Sequence, residues 1–172
     1  MTWQHLLGGS LGFLTSCLIG SFAEYFVHVL MHRRILQGKL HAFHHKDGTG
    51  QGVWGEFLAY FIPAFPLPII ISVAAYFLHQ IPFGIGVWIG YLFICFFCAY
   101  CHQASHERPE LMFWMPQPQH YIHHRDNMWW HNYGVSSDIW DRIFRTYKKV
   151  EYTPPKKFWQ LRPLDFFKLK WF

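Results

Sequence analysis

The chain has 172 residues, which suggests one domain, yet 52% are hydrophobic, 21% aromatic and only 15% charged. Soluble globular chains carry roughly 25% charged residues, so the composition argues against an ordinary soluble domain. The formal net charge of +5 would suit nucleic acid as well as a membrane, but the basic residues flank apolar runs, which favours the membrane and speaks against nucleic acid.

The start, MTWQHLLGG, lacks the basic n-region of a cleavable signal, and no small-residue cleavage pattern follows. The first apolar stretch, Leu6 to Met31, is therefore expected to remain. It carries a single charged residue, Glu24, and exceeds the roughly 20 residues a helix needs to cross the hydrocarbon. A full crossing is expected; a dip that returns to the same side is the alternative. Its far end carries His28 and His32 in HVLMH, and HAFHH follows with His41, His44 and His45.

From Phe57 to Cys101 there is no Asp, Glu, Lys or Arg. That run is long enough for two spans, with a break near His79-Gln-Ile-Pro82. A hairpin of helices over Phe57–Leu78 and Phe83–Cys101 is expected, the first kinked or shortened by Pro63, Pro66 and Pro68. Cys95, Cys98 and Cys101 recur in CFFCAYC inside the second span. There free cysteines act as small hydrophobes, so with Cys17 they imply neither a disulfide framework nor a cluster site.

After the hairpin come His102 and His106 in HQASH, then His120, His123 and His124 in HYIHH, and His131 in HNYG. Of the thirteen histidines only His5 and His79 lie outside these groups. The segment from Asp138 reads as a short helix whose apolar face is Ile139, Ile143, Phe144 and Tyr147, with Arg142, Arg145 and Lys148 turned to solvent or headgroups. Pro154-Pro155 then ends regular structure. The closing KKFWQLRPLDFFKLKWF interleaves basic and aromatic residues, as a segment lying in the membrane interface does. A tail packed on the polar domain is the alternative.

Basic residues set the orientation. Arg33, Arg34, Lys39 and Lys46 lie between the first stretch and the hairpin, and the other eleven of fifteen follow Cys101. None lies in the hairpin turn. The positive-inside rule places both histidine-rich regions in the cytoplasm, where distant motifs can meet.

On a helix, residues three and four apart share a face, so each motif can aim two or three imidazoles at one point. Neutral imidazole suits iron, zinc, copper and nickel. One ion accepts four to about six ligands, so ten histidines imply two metals. Ligating rings need their other N–H held by a carboxylate, carbonyl or water. Glu24, four residues before His28, is the leading candidate for that role, with Asp126 and Asp141 behind it. Asp141 also has a plainer reading as a helix-start acid beside Asp138.

The order H-x-x-x-H, H-x-x-H-H, hairpin, H-x-x-x-H, H-x-x-H-H, closed by NYGVSSDIWDRIFRTY, resembles the fatty acid hydroxylase and sterol desaturase superfamily of membrane-bound, histidine-rich di-iron enzymes. The resemblance covers about residues 24–147 of a single 1–172 domain, with 152–172 as an interfacial tail. It implies an all-α integral membrane protein: a four-helix-like membrane base under a cytoplasmic helical cap that holds two irons. This sequence shows three clear spans. By the same resemblance the metal ligands are His28, His32, His41, His44, His45, His102, His106, His120, His123 and His124. His131 is left as a supporting group or substrate contact.

The implied activity is oxygen-dependent hydroxylation of a C–H bond in a lipid, with a fatty acyl chain favoured. Sterol desaturation and carotenoid hydroxylation on the same framework remain open, as does a non-enzymatic zinc- or haem-binding membrane protein. Expected partners are a lipid entering from the bilayer, dioxygen and a separate electron-donor protein, since no haem-attachment motif, cysteine cluster or nucleotide loop is present. Two iron ions are the expected cofactor, and zinc can replace iron in such histidine sites.

Overall fold

The computed structural model describes residues 2–172, and every regular element among them is helical. The first apolar stretch forms one 30-residue helix, α1 (Trp3–His32). A short cap helix, α2 (Gly38–Asp47), follows. The next two, α3 (Val53–Ala64) and α4 (Pro66–Phe77), form a single broken rod bent by 50°. The bend falls where Pro63, Pro66 and Pro68 withhold N–H donors, as their positions predict.

The return helix, α5 (Ile81–Glu107), outruns the apolar stretch. The expected limit at Cys101 is corrected by six residues, because the helix continues into the polar layer and carries His102 and His106 there. Two helices are long and apolar enough to cross a membrane, and three if the bent pair counts as one span. The membrane base therefore has two or three members, against the four-helix-like base that the resemblance implies.

Small residues bring α1 and α5 together. Gly8 lies against Pro82, Gly12 against Phe83 and Val87, and Gly20 against Ile94, so the two helices run in the same direction. A β-carbon at Gly12 or Gly86 would overlap a backbone carbonyl of the facing helix. Close backbone approach through small residues is a usual route to helix association where lipid removes the hydrophobic driving force. Ser16 adds a 2.8 Å bond to the carbonyl of Val87. Because α1 and α5 are parallel, their histidine-bearing C-terminal ends emerge together. Cys95, Cys98 and Cys101 are buried in α5 and free.

Two further cap helices follow, α6 (Gln119–Arg125) and α7 (Ile139–Ile143). The α7 face is not a buried one: Ile139, Ile143 and Phe144 are all at least half exposed, and Phe144 stacks on Tyr25 of α1. Arg142 pairs with Asp138 and covers the ring of Tyr147.

The alternative reading, a tail packed on the polar domain, describes the end of the closing segment. Its end is docked: Leu169 is buried, and the carbonyls of Lys170 and Trp171 accept the N–H groups of Val53 and Trp54 at 3.0 Å. Those bonds satisfy orphan donors at the start of α3. Phe158, Trp159, Leu164 and Phe167 nevertheless point outward beside Lys156, Lys157 and Lys168.

Candidate metal centre

Nine histidine side chains converge in two adjoining groups. His28, His32, His41, His45 and His123 form one, and His44, His102, His106 and His120 the other, with ligand atoms within 4.8 Å of one another in each. His124 sits against the second group. Its ring centroid is 4.5 Å from His120, 4.7 Å from His44 and from His106, and 4.1 Å from His45. All ten expected residues are therefore brought together. His5 instead bonds Thr2 at the start of α1, and His79 lies in the exposed hairpin turn.

The two motif types behave differently. Each H-x-x-x-H pair serves one group: His28 and His32 the first, His102 and His106 the second. Each H-x-x-H-H motif is divided. α2 sends His41 and His45 to the first group and His44 to the second; α6 sends His123 to the first and His120 to the second. A helix turn advances about 100° per residue, so adjacent histidines cannot share a target, and the doubled His-His ends of these motifs are what joins the groups.

The donor chemistry fits metal ions. Nε2 of His32 lies 2.8 Å from that of His41, 2.8 Å from that of His123 and 3.1 Å from that of His45. In the second group Nε2 of His106 lies 3.1 Å from His44 and 3.3 Å from His120. Ligands at the usual metal–nitrogen length of about 2.0–2.1 Å are separated by about 3 Å when adjacent on one ion. The outward nitrogens explain why Nε2 carries the lone pair. Nδ1 of His28 donates to the carbonyl of Tyr133 at 2.6 Å, Nδ1 of His123 to that of His131 at 2.7 Å, and Nδ1 of His106 to that of Gly48 at 3.1 Å. A carbonyl only accepts, so each proton sits on Nδ1 and the inward Nε2 is bare. Nε2 of His28 is buried with no hydrogen-bond partner, as are both ring nitrogens of His124. Bare lone pairs facing one another at 3 Å repel unless a cation lies between them.

Burial keeps the cap imidazoles neutral. It lowers His44 and His45 to about 4 and His123 to about 3, with neighbouring histidines pushing His44 and His123 the same way. His120 and His124 are lowered as well, for the same reasons. At neutral pH all five present the unprotonated form that a metal requires.

The NYGVSS segment explains itself residue by residue. Asn132 adopts a left-handed φ of 60° and exchanges bonds of 2.7 and 2.9 Å with the backbone of Lys148. Tyr133 offers its carbonyl to His28. Gly134 leaves room beside Asp141, whose oxygen a β-carbon there would crowd. Val135 and Ser136 bind Glu24.

Two expectations about supporting groups need correction. Glu24 does not touch a ring. Its carboxylate accepts the N–H of Val135 at 2.7 Å and the N–H and hydroxyl of Ser136 at 3.1 and 2.8 Å, so it holds the loop that in turn holds His28. Asp126 is exposed and paired with Arg125. His131, left as a supporting group or substrate contact, does support the site, but through its backbone carbonyl on Nδ1 of His123; its ring belongs to neither group.

Asp141 is fully buried rather than a surface helix acid. It accepts the N–H groups of Tyr133 and Gly134 at 2.9 and 2.7 Å and the hydroxyl of Thr146 at 2.7 Å. Burial raises its pKa and these donors oppose the rise. Sequence reasoning missed Glu56, whose Oε2 lies 3.0 Å from Nδ1 of His102. The available signal was its position: it is the acid that immediately precedes the charge-free run from Phe57 to Cys101.

A family model described as fatty acid hydroxylase matches residues 13–146. The chain belongs to the fatty acid hydroxylase family. That match runs from within α1 through α7 and contains all ten clustered histidines and both loop-holding carboxylates. No curated protein and no solved structure matched the chain. The fatty acid hydroxylase family comprises membrane-bound oxidoreductases of the hydroxylase and desaturase type, and the two histidine groups are a potential metal site of the kind such chemistry uses.

Proposed function

We propose that the chain is a di-iron hydroxylase that inserts oxygen from dioxygen into a C–H bond of a lipid, with a fatty acyl chain as the favoured substrate. The observation that carries the reading is the convergence of nine imidazoles in two adjoining groups, with His124 packed against them, at one end of a membrane helix bundle. When bound, a pair of iron ions would supply the oxidation of an unactivated C–H bond, chemistry no side chain performs. The first ion would be held by His28, His32, His41, His45 and His123, the second by His44, His102, His106, His120 and His124.

The remaining work belongs to the protein. Backbone carbonyls fix the ring orientations of His28, His106 and His123. The exposed cations Arg33, Arg34, Lys39 and Lys46 around the cap suit an acidic electron-donor protein. A lipid would arrive from the bilayer, because the groups sit directly on the ends of α1 and α5. Lipid mass spectrometry of cells with and without the chain tests the reaction. A lipid heavier by one oxygen is expected; a lipid lighter by two hydrogens would make the chain a desaturase instead.

The same reading places the centre in the cytoplasm, supported by the absence of Lys and Arg from the far turn. With three spans, the N-terminus lies outside and the C-terminus inside. Once Cys17, Cys95, Cys98 and Cys101 are replaced by alanine, Gln80→Cys is expected to react with an impermeant thiol reagent in intact cells. Asp47→Cys should react only after permeabilisation. Labelling of position 47 from outside would overturn the cytoplasmic placement.

A further inference from the structure

Glu56 stands apart from the other acids near the histidines. Its side chain is 5% exposed, with Oε2 3.0 Å from Nδ1 of His102. Its other oxygen accepts the N–H of Gln51 at 2.9 Å. In the five-histidine group the outward nitrogens of His28 and His123 meet neutral carbonyls, and Glu24 and Asp141 act only on the loop behind them. A carboxylate oxygen therefore lies 3.0 Å from an outward ring nitrogen in one group, whereas these two rings of the other hydrogen-bond to carbonyls.

We propose that Glu56 is a positioning residue dedicated to the four-histidine group, making the two metal positions unequal in affinity; this rests on the dimetal reading above. A carboxylate behind an imidazole fixes the proton on the outward nitrogen, turns the lone pair inward and raises ligand basicity. It also places a negative charge beside one ion and not the other. Burying a carboxylate is costly unless it is paired, and His102 is the side chain that Glu56 meets.

The surrounding bonds fasten the element that carries Glu56 to the one that carries His102. Gly52 N–H donates to Oε1 of Gln103 at 2.8 Å, and Nε2 of Gln103 donates to Glu107 at 2.7 Å. Glu107 accepts the N–H of Lys170 at 2.9 Å, while the carbonyl of Lys170 caps Val53. The first turn of α3 is thereby strapped to the last turns of α5. A contact needed only to join two helices would not require a buried charge aimed at a ring nitrogen.

Full-length protein in detergent, loaded anaerobically with ferrous iron and titrated with a chelator, tests this by elemental analysis of retained iron. The unsubstituted protein should retain two ions. Glu56→Gln keeps the volume and an acceptor oxygen but removes the charge. One ion should then leave at chelator concentrations about 10–100-fold lower, the usual cost of losing such a supporting group, and the other should be unmoved. His102→Ala should loosen the same ion, so combining it with Glu56→Gln should release no further metal. Glu56→Asp, which retains the charge, should give a smaller shift and serves as the test if the glutamine variant fails to fold. Equal loosening of both ions, or of neither, overturns the proposal. Fewer than two ions in the unsubstituted protein would overturn the dimetal reading itself, and this inference with it.

Discussion

His32→Ala is expected to abolish lipid oxidation while leaving membrane insertion intact. The ring is 1% exposed, and its Nε2 lies within 3.1 Å of those of three other histidines. It is the hub of the five-histidine group. The loss should exceed the roughly 10–100-fold that removing a supporting group costs, and anaerobic elemental analysis should find about one ion instead of two. Insertion depends on the apolar lengths of α1 and α5, which the substitution does not touch. His124→Ala should be comparably damaging to activity, through the second group. The control is His79, exposed in the far turn with a left-handed φ of 55°. His79→Asn tolerates that conformation and should keep full activity. A His79→Asn variant as inactive as His32→Ala would contradict the placement of the centre.

The apolar runs and histidine spacings made the main features legible without a structure. Charge-free length predicts the hairpin, three prolines predict its bend, and recurring motifs nominate ten side chains that do converge. Three things were not legible, for physical reasons. Spacing on one helix says which rings share a face, but not which neighbouring group each face meets, so the division of His44 from His41 and His45 could not be read. Support from backbone carbonyls leaves no signature in side-chain identity: Gly48, Tyr133 and His131 act through atoms every residue has. Long-range pairing, as between Glu56 and His102 or between Glu24 and Ser136, depends on helices meeting across dozens of residues. For Glu24 the sequence reading identified an important residue but the wrong partner, because helical proximity to His28 was taken to mean contact.

The loop held by Glu24 and Asp141 yields the second large effect. Asp141→Ala removes the acceptor for two buried backbone N–H groups and for the partly buried hydroxyl of Thr146. Each buried donor left without a partner costs about 1–3 kcal/mol, so a loss of roughly 3–5 kcal/mol is expected after partial relaxation. That is a large fraction of the 5–15 kcal/mol typical of folded domains. The chain of consequences runs from Asp141 to Tyr133 and Gly134, then to the Tyr133 carbonyl that orients His28. A freed loop would release His28 first, and His123 next through the adjoining His131 carbonyl. Iron retention by the five-histidine group should therefore fall, with the ion beside Glu56 held as before. Asp141→Asn should fall between the two states. Its amide oxygen can serve one of the two N–H groups, but its NH2 then faces another donor. Thermal unfolding in detergent, combined with chelator titration, checks both parts. A variant that loses stability but releases both ions together would mean that Asp141 supports the whole cap and not the loop behind His28.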